Sequence, residues 1–136
     1  MTFKIIGSEE IKKSLTSATR QYLVGHLERP QELKHLDSGE LEIGITSYKK
    51  ITEEEPHWHK FANEYQLVLQ GETSYCDLTN GEVINLRCGD FYLIESGTCY
   101  SQESEAGTII LFIKVPSIND KMKCRDCLRD CSARIS

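Results

Sequence analysis

Pro56-His57-Trp58-His59-Lys60-Phe61-Ala62-Asn63-Glu64 is the stretch on which the reading of this chain turns. Side chains on a strand alternate between faces. His57 and His59 therefore share one face, with Cα atoms about 6–7 Å apart from strand rise. Two imidazoles at that separation can converge on one metal ion. Four residues lie between His59 and Glu64, enough for a tight turn onto a neighbouring strand. That register sets Glu64 opposite His59 and Gln66 opposite His57. Two imidazoles and one carboxylate pointing the same way suit a divalent transition metal with positions open for water or substrate. Gln66 reads as a hydrogen-bonding group of the pocket, because amide oxygens suit harder cations. Trp58 points to the opposite face. Taken without Glu64, the same two histidines read as surface residues near a strand end.

Outward from this stretch, short strands alternate with turn chemistry. Leu41, Ile43 and Ile45 alternate with other residues on one side. On the other side, Gln66 to Leu69 ends at Gly71, and Thr73 to Leu78 leads into Asn80-Gly81. Both of those turn residues tolerate positive φ, which makes the pair a strong hairpin signal. Val83 to Leu86, Phe91 to Ile94, Thr98 to Ser101 and Thr108 to Val115 follow, divided by Cys88-Gly89-Asp90, Glu95-Ser96-Gly97 and Glu105-Ala106-Gly107. Many short strands at regular spacing predict a sandwich or closed barrel over about 40–116. Helical spacing flanks this core. Ser8 reads as an N-terminal cap with Glu9 and Glu10 in the first turn, and Ile11, Leu15, Ala18 and Tyr22 extend the pattern, predicting a helical segment over about 8–25. Beyond Pro116, Ser117 and Asp120 read as a helix start, with Cys124, Cys127, Leu128, Cys131 and Ile135 on one stripe, predicting a short C-terminal helix over about 118–134.

The chain of 136 residues is the size of one domain, and it carries 39% hydrophobic and 27% charged residues with a net charge of -5. That balance gives no basic surface for nucleic acid. No apolar run is long enough to span a membrane and no signal peptide is visible, so a cytoplasmic location is expected. The six cysteines are then expected as thiols. The spacing Cys124-x2-Cys127-x3-Cys131 offers three thiolates to a soft metal such as zinc. A fourth ligand would have to come from His35 or a partner chain, and small thiols on an apolar stripe are the simpler reading. No phosphate-binding glycine loop and no nucleophile elbow is present.

The run His57-x-His59-x4-Glu64-x6-Gly71 resembles the first motif of the cupin superfamily, and Gly89-x5-Glu95-x-Gly97-x2-Tyr100 resembles the second. The resemblance covers roughly Leu41 to Val115. It implies a mainly β, double-stranded β-helix (jelly-roll) barrel in a single domain, 1–136. It also implies a metal held by His57, His59 and Glu64, with a fourth ligand from the second motif. Three positions depart from the pattern: Ile51 replaces a glycine, Glu95 a proline, and Tyr100 the last histidine. Tyr100 is then a candidate ligand or acid/base group, and Glu95 a second candidate proton carrier. The resemblance implies a divalent ion (Fe, Mn, Ni, Co or Zn), a small polar ligand such as a sugar or organic acid, and a homodimer. Isomerase, epimerase, lyase or dioxygenase chemistry would fit it. A non-catalytic small-ligand-binding or sensing module is the alternative, and a structural dimer with a vestigial pocket is a third.

Overall fold

The computed structural model describes residues 2–124. One helix, α1 (Ser8–Ser17), precedes eleven strands. These are β1 (Arg20–Gly25), β2 (Leu36–Asp37), β3 (Glu42–Ser47), β4 (Thr52–His59), β5 (Asn63–Gln70), β6 (Glu72–Asp77), β7 (Glu82–Arg87), β8 (Phe91–Ile94), β9 (Tyr100–Ser104), β10 (Ile109–Val115) and β11 (Lys121–Lys123). They form a six-stranded sheet, β2-β1-β3-β10-β5-β8, and a five-stranded sheet, β11-β4-β9-β6-β7. Every pairing is antiparallel except the short β1–β2 contact. The hairpin expected at Asn80-Gly81 joins β6 to β7, with Asp77 facing Glu82 and Gly81 at φ 75°.

The flanking helices are where the sequence pattern misleads. Helix α1 stops at Ser17, and Ala18 is already extended. Tyr22, four residues beyond Ala18, satisfies the helical spacing but lies in β1, where Arg20, Gln21, Tyr22 and Val24 pair with β3. The N-cap is Gly7, with no side-chain cap, so Ser8 belongs to the first turn instead. Only Ser14 of this helix is buried, so little tertiary packing was available to lengthen it. At the other end, residues 121–123 pair with β4 as β11 instead of opening a helix. The rest of that predicted helix, from 125 onward, lies outside the described residues.

The register expected for Glu64 is also different. Strands β4 and β5 lie in different sheets and are not paired. The chain crosses from one sheet to the other at residues 60–62, so Glu64 approaches His59 across the interior instead of along a ladder.

A bulge sets the faces of β4. Glu54 pairs with Gln102 and His57 with Tyr100, so three steps on β4 oppose two on β9. Pro56, which has no N–H to give the ladder, sits in that irregularity. Without the extra residue Glu54 and His57 would face opposite ways. With it, Glu54, His57 and His59 all line the interior.

Apolar packing closes one end of the barrel through Val68 and Ile110, both almost fully buried. There Thr73 and Ser104 share a hydrogen bond of 2.8 Å, and Gln102 Nε2 donates to both hydroxyls at 3.0 and 3.1 Å. Gly71 makes the tight passage from β5 to β6 at φ +82°. A Cβ there would stand 2.5 Å from Thr108 Oγ1 and 2.7 Å from its Cα, against a fully buried residue. Gly71→Ala therefore meets both left-handed strain and backbone crowding. It is expected to destabilise the fold by about 2–4 kcal/mol, read as a lowered urea midpoint with an unchanged slope; a loss under about 0.5 kcal/mol would contradict the packing described here.

Candidate functional site

The interior between the sheets is polar. His57, His59, Gln66, Gln102, Lys114 and Asp120 are all buried. Several of these, with Arg20, Tyr48, Glu54, Glu64 and Tyr100, line a cavity of about 140 Å³. Buried polar groups are costly unless partnered, and here the partners can be followed one by one.

His57 Nδ1 lies 2.8 Å from the Glu55 carbonyl oxygen, which can only accept, so the proton is on Nδ1. Burial lowers the His57 pKa, outweighing that hydrogen bond, and keeps the ring neutral. Nε2 is then an acceptor, and the Tyr100 hydroxyl donates to it at 3.0 Å. Tyr100 is the cross-strand partner of His57, and its ring centroid is 4.5 Å away. Burial, reinforced by Glu64 and Glu54, pushes the Tyr100 phenol well above its ordinary range, so it holds its proton.

His59 is held on both sides. Nδ1 donates to Asp120 Oδ1 at 2.9 Å, while Nε2 faces Glu64 Oε1 at 3.2 Å. Asp120 is buried, and its other oxygen accepts from the Phe61 and Ala62 amides at 2.7 and 2.8 Å. Burial alone would raise the Asp120 carboxyl; the Phe61 amide, His59 and the Ala62 amide together hold it below its usual value. Lys114 Nζ adds a longer contact of 3.6 Å. Glu64 is fixed in turn: Gln66 Nε2 donates to its Oε2 at 2.9 Å. Gln66 can aim that amide because its Oε1 accepts from the phenols of Tyr92 at 2.7 Å and Tyr75 at 3.1 Å. Nearer the cavity mouth, Arg20 lies 3.2 Å from Glu54. Burial would lift the Glu54 carboxyl, but Arg20 and His57 more than offset it and leave the pKa lowered.

Of the residues expected from sequence, His57, His59, Glu64, Gln66 and Tyr100 meet in this cavity. Glu95 does not. It is exposed in the turn after β8 and lines an outer groove instead. Lys114, Arg20 and Glu54 were not singled out from the sequence, and Asp120 was read only as a helix start. Lys114 carried a signal, because it continues the inward face of Ile110 and Phe112 along β10. Asp120 carried none, since its role depends on a fold-level meeting with His59 across 61 residues.

The cysteine expectation is corrected. Cys99 and Cys124 form a disulfide, while Cys76 and Cys88 are free. The pair lies on the far face of the β4–β9 sheet from the cavity, in a buried cluster with Leu78, and Trp58 and Cys76 pack against it. Trp58 thus turns away from the histidines, as alternation requires.

The donor chemistry of the cavity suits a metal. Both imidazoles are anchored through Nδ1, and both present Nε2 inward, the usual arrangement behind metal-ligating histidines. His59 Nε2 and Glu64 Oε1 lie 3.2 Å apart, close enough for both to serve one ion. Among the described residues no three His, Cys, Asp or Glu side chains are gathered as a ready cluster. The donors are instead paired, His57 with Tyr100 and His59 with Glu64.

No family model and no curated protein matches the chain. Solved structures do. An RmlC-like cupin from Desulfovibrio desulfuricans aligns at 21% identity over 60% of this chain and 76% of its own, with a TM-score of 0.51. The DMSP lyase DddQ from Ruegeria pomeroyi aligns at 16% identity over 79% of this chain and 51% of its own, with a TM-score of 0.60. Bacillus subtilis oxalate decarboxylase, described for its Mn(II) centres, aligns at 20% identity over 64% of this chain and 25% of its own, with a TM-score of 0.54. The chain thus spans about half of the lyase and a quarter of the decarboxylase. Among the described residues no helix is long and apolar enough to cross a membrane. Two facing antiparallel sheets around a polar cavity, matched by these structures, give the chain the cupin fold, a double-stranded β-helix barrel.

Proposed function

We propose that the chain is a metal-binding cupin that acts on a small polar molecule inside the barrel. The observation that carries this reading is the pair of inward Nε2 atoms, His57 and His59, each anchored through Nδ1, with Glu64 facing one of them. His57, His59 and Glu64 would hold a divalent ion of the Fe, Mn, Ni, Co or Zn type, and Tyr100 stands beside them. The ion would supply Lewis-acid polarisation of a substrate oxygen.

The chain's own residues do the rest. Asp120 and the Glu55 carbonyl fix the two imidazoles, and Gln66 fixes Glu64. Tyr100 holds its proton at a hydroxyl that donates to His57 Nε2; with that lone pair engaged elsewhere, the proton would be available for a general acid's role. A cavity of about 140 Å³ limits the substrate. An apolar cavity of about 150 Å³ takes one benzene, so a molecule of about six non-hydrogen atoms fills the enclosed part. That size favours a small organic acid over a whole sugar. The similarity to a lyase and a decarboxylase supports this class of ligand without selecting a reaction. A non-catalytic binding module is the second reading, favoured by the pairing of Tyr100 with His57 where a further metal-ligating side chain would otherwise stand.

Elemental analysis of untagged protein is expected to give near one equivalent of a divalent transition metal. It should be lost in a His57→Ala/His59→Ala variant and kept when Cys124, Cys127 and Cys131 are all changed to Ser; a wild type that takes up none on reconstitution would sink the proposal. Asp120→Asn should leave the chain folded by circular dichroism and lower metal affinity by about 10–100-fold; unchanged affinity would remove Asp120 from its role in holding His59. Tyr100→Phe divides the two readings. An enzyme should lose about 100-fold or more in kcat with small organic acids while affinity barely moves, whereas a binder shows only a change in affinity.

A further inference from the structure

The ammonium of Lys114 is buried in the barrel without a close partner. Lys114 is only 7% exposed and lines the cavity from β10. An ammonium has three protons to donate and nothing to accept with. Among the described residues Nζ donates no hydrogen bond, and its one ion pair is the 3.6 Å contact with Asp120 Oδ1. That oxygen already accepts from His59, and the other accepts from two amides. The two carboxylates beside Lys114 on the neighbouring strands are occupied as well. Glu64, its partner on β5, faces His59 and accepts from Gln66. Glu42, its partner on β3, accepts from Ser117 at 3.3 Å. Burial pushes the Glu42 carboxyl up, and Lys114 offsets only part of that rise. Three carboxylates thus surround a buried cation and none closes a hydrogen bond to it. A buried charge is costly unless it is paired and hydrogen-bonded.

We propose that Lys114 anchors the carboxylate of the ligand and sets the preference of this cavity for an anion over a neutral molecule of the same shape. The inference rests on the reading that the cavity takes a small organic acid. Of the other cations lining the cavity, Arg20 is engaged by Glu54 and Thr46, and Lys121 is exposed, where water screens it. Lys114 alone of the three is both buried and uncommitted. A carboxylate supplies two acceptor oxygens and the opposite charge. A hydrogen bond between two ionised groups is about twice as strong as a neutral one, and the low dielectric of an interior strengthens it further. A neutral amide of the same shape can accept from Nζ but leaves the charge unbalanced. The ion held by His57, His59 and Glu64 would add positive charge to the same enclosure and favour an anion in the same direction.

Isothermal titration calorimetry with lactate and its neutral counterpart lactamide tests this on the wild type and on Lys114→Met, which keeps the aliphatic stem and removes the charge. Metal content is measured on each sample. Lactate should bind the wild type at least about tenfold more tightly than lactamide, and Lys114→Met should abolish that preference while keeping the ion. An equal fall in affinity for both molecules would make Lys114 only a counter-ion of Asp120 and overturn the anchor. So would a Lys114→Met variant that binds lactate as the wild type does, or a wild type that binds lactate no better than lactamide. A wild type that takes up no metal would sink the metal-binding reading alone; the preference for lactate and its loss in Lys114→Met are then read on the metal-free protein by the same criteria. Should Lys114→Met not fold, the side-chain NMR resonances of Lys114 in the wild type decide. They should shift on adding lactate and stay in place with lactamide, and an equal response to both would overturn the proposal.

Discussion

The bulge at Glu55-Pro56 decides what each face of β4 presents. A regular strand would place Glu54 and His57 on opposite faces. The extra residue brings Glu54, His57 and His59 together inside and sends Trp58 out. Because β4 is flanked by β9 and β11, the same parity carries to its neighbours. Tyr100 faces inward beside His57, and Cys99 faces outward beside Trp58. One irregularity in one strand therefore sets up both a polar cavity on one face of the sheet and an apolar, thiol-rich cluster on the other.

The interior is stable only as a connected network. Glu64 is held by Gln66, and Gln66 by two phenols. His59 is held by Asp120, which also accepts two amides of the crossover between the sheets. Removing one member leaves its neighbour buried without a partner, which costs more than the hydrogen bond itself. The network also fixes protonation. Tyr100 holds its proton and His57 stays neutral because burial disfavours the charged form of each. The cavity thus carries a defined donor and a defined acceptor, bonded to each other, before any ligand arrives.

How far the sequence could be read depended on whether a feature is local. The hairpin at Asn80-Gly81, the run of short strands and the shared face of His57 and His59 follow from alternation and turn chemistry, which neighbouring residues settle. Glu64 was legible as a partner of His59, but through the wrong geometry, because nothing local shows that the chain changes sheets at residues 60–62. Tyr22 fitted a helical spacing and joined a strand, since pairing with β3 outweighs a weak helical preference. Asp120 read as a helix start for the same reason that it serves as it does: a short carboxylate accepts backbone amides readily, whether in its own turn or in a distant loop. The contact between Cys99 and Cys124 likewise required the fold.

The position of Asp120 in the chain has a consequence for synthesis. Ribosomes deliver the barrel from one end, and domains tend to fold as their parts emerge. His59 appears 61 residues before the carboxylate that orients it, and β11, which lies beside both histidines, follows Asp120 directly. A nascent chain can pair nearly all of its strands while the two imidazoles remain incompletely held. Assembly of the cavity is therefore a late event, and a chain truncated before Asp120 would keep every strand but β11 while lacking the carboxylate that orients His59.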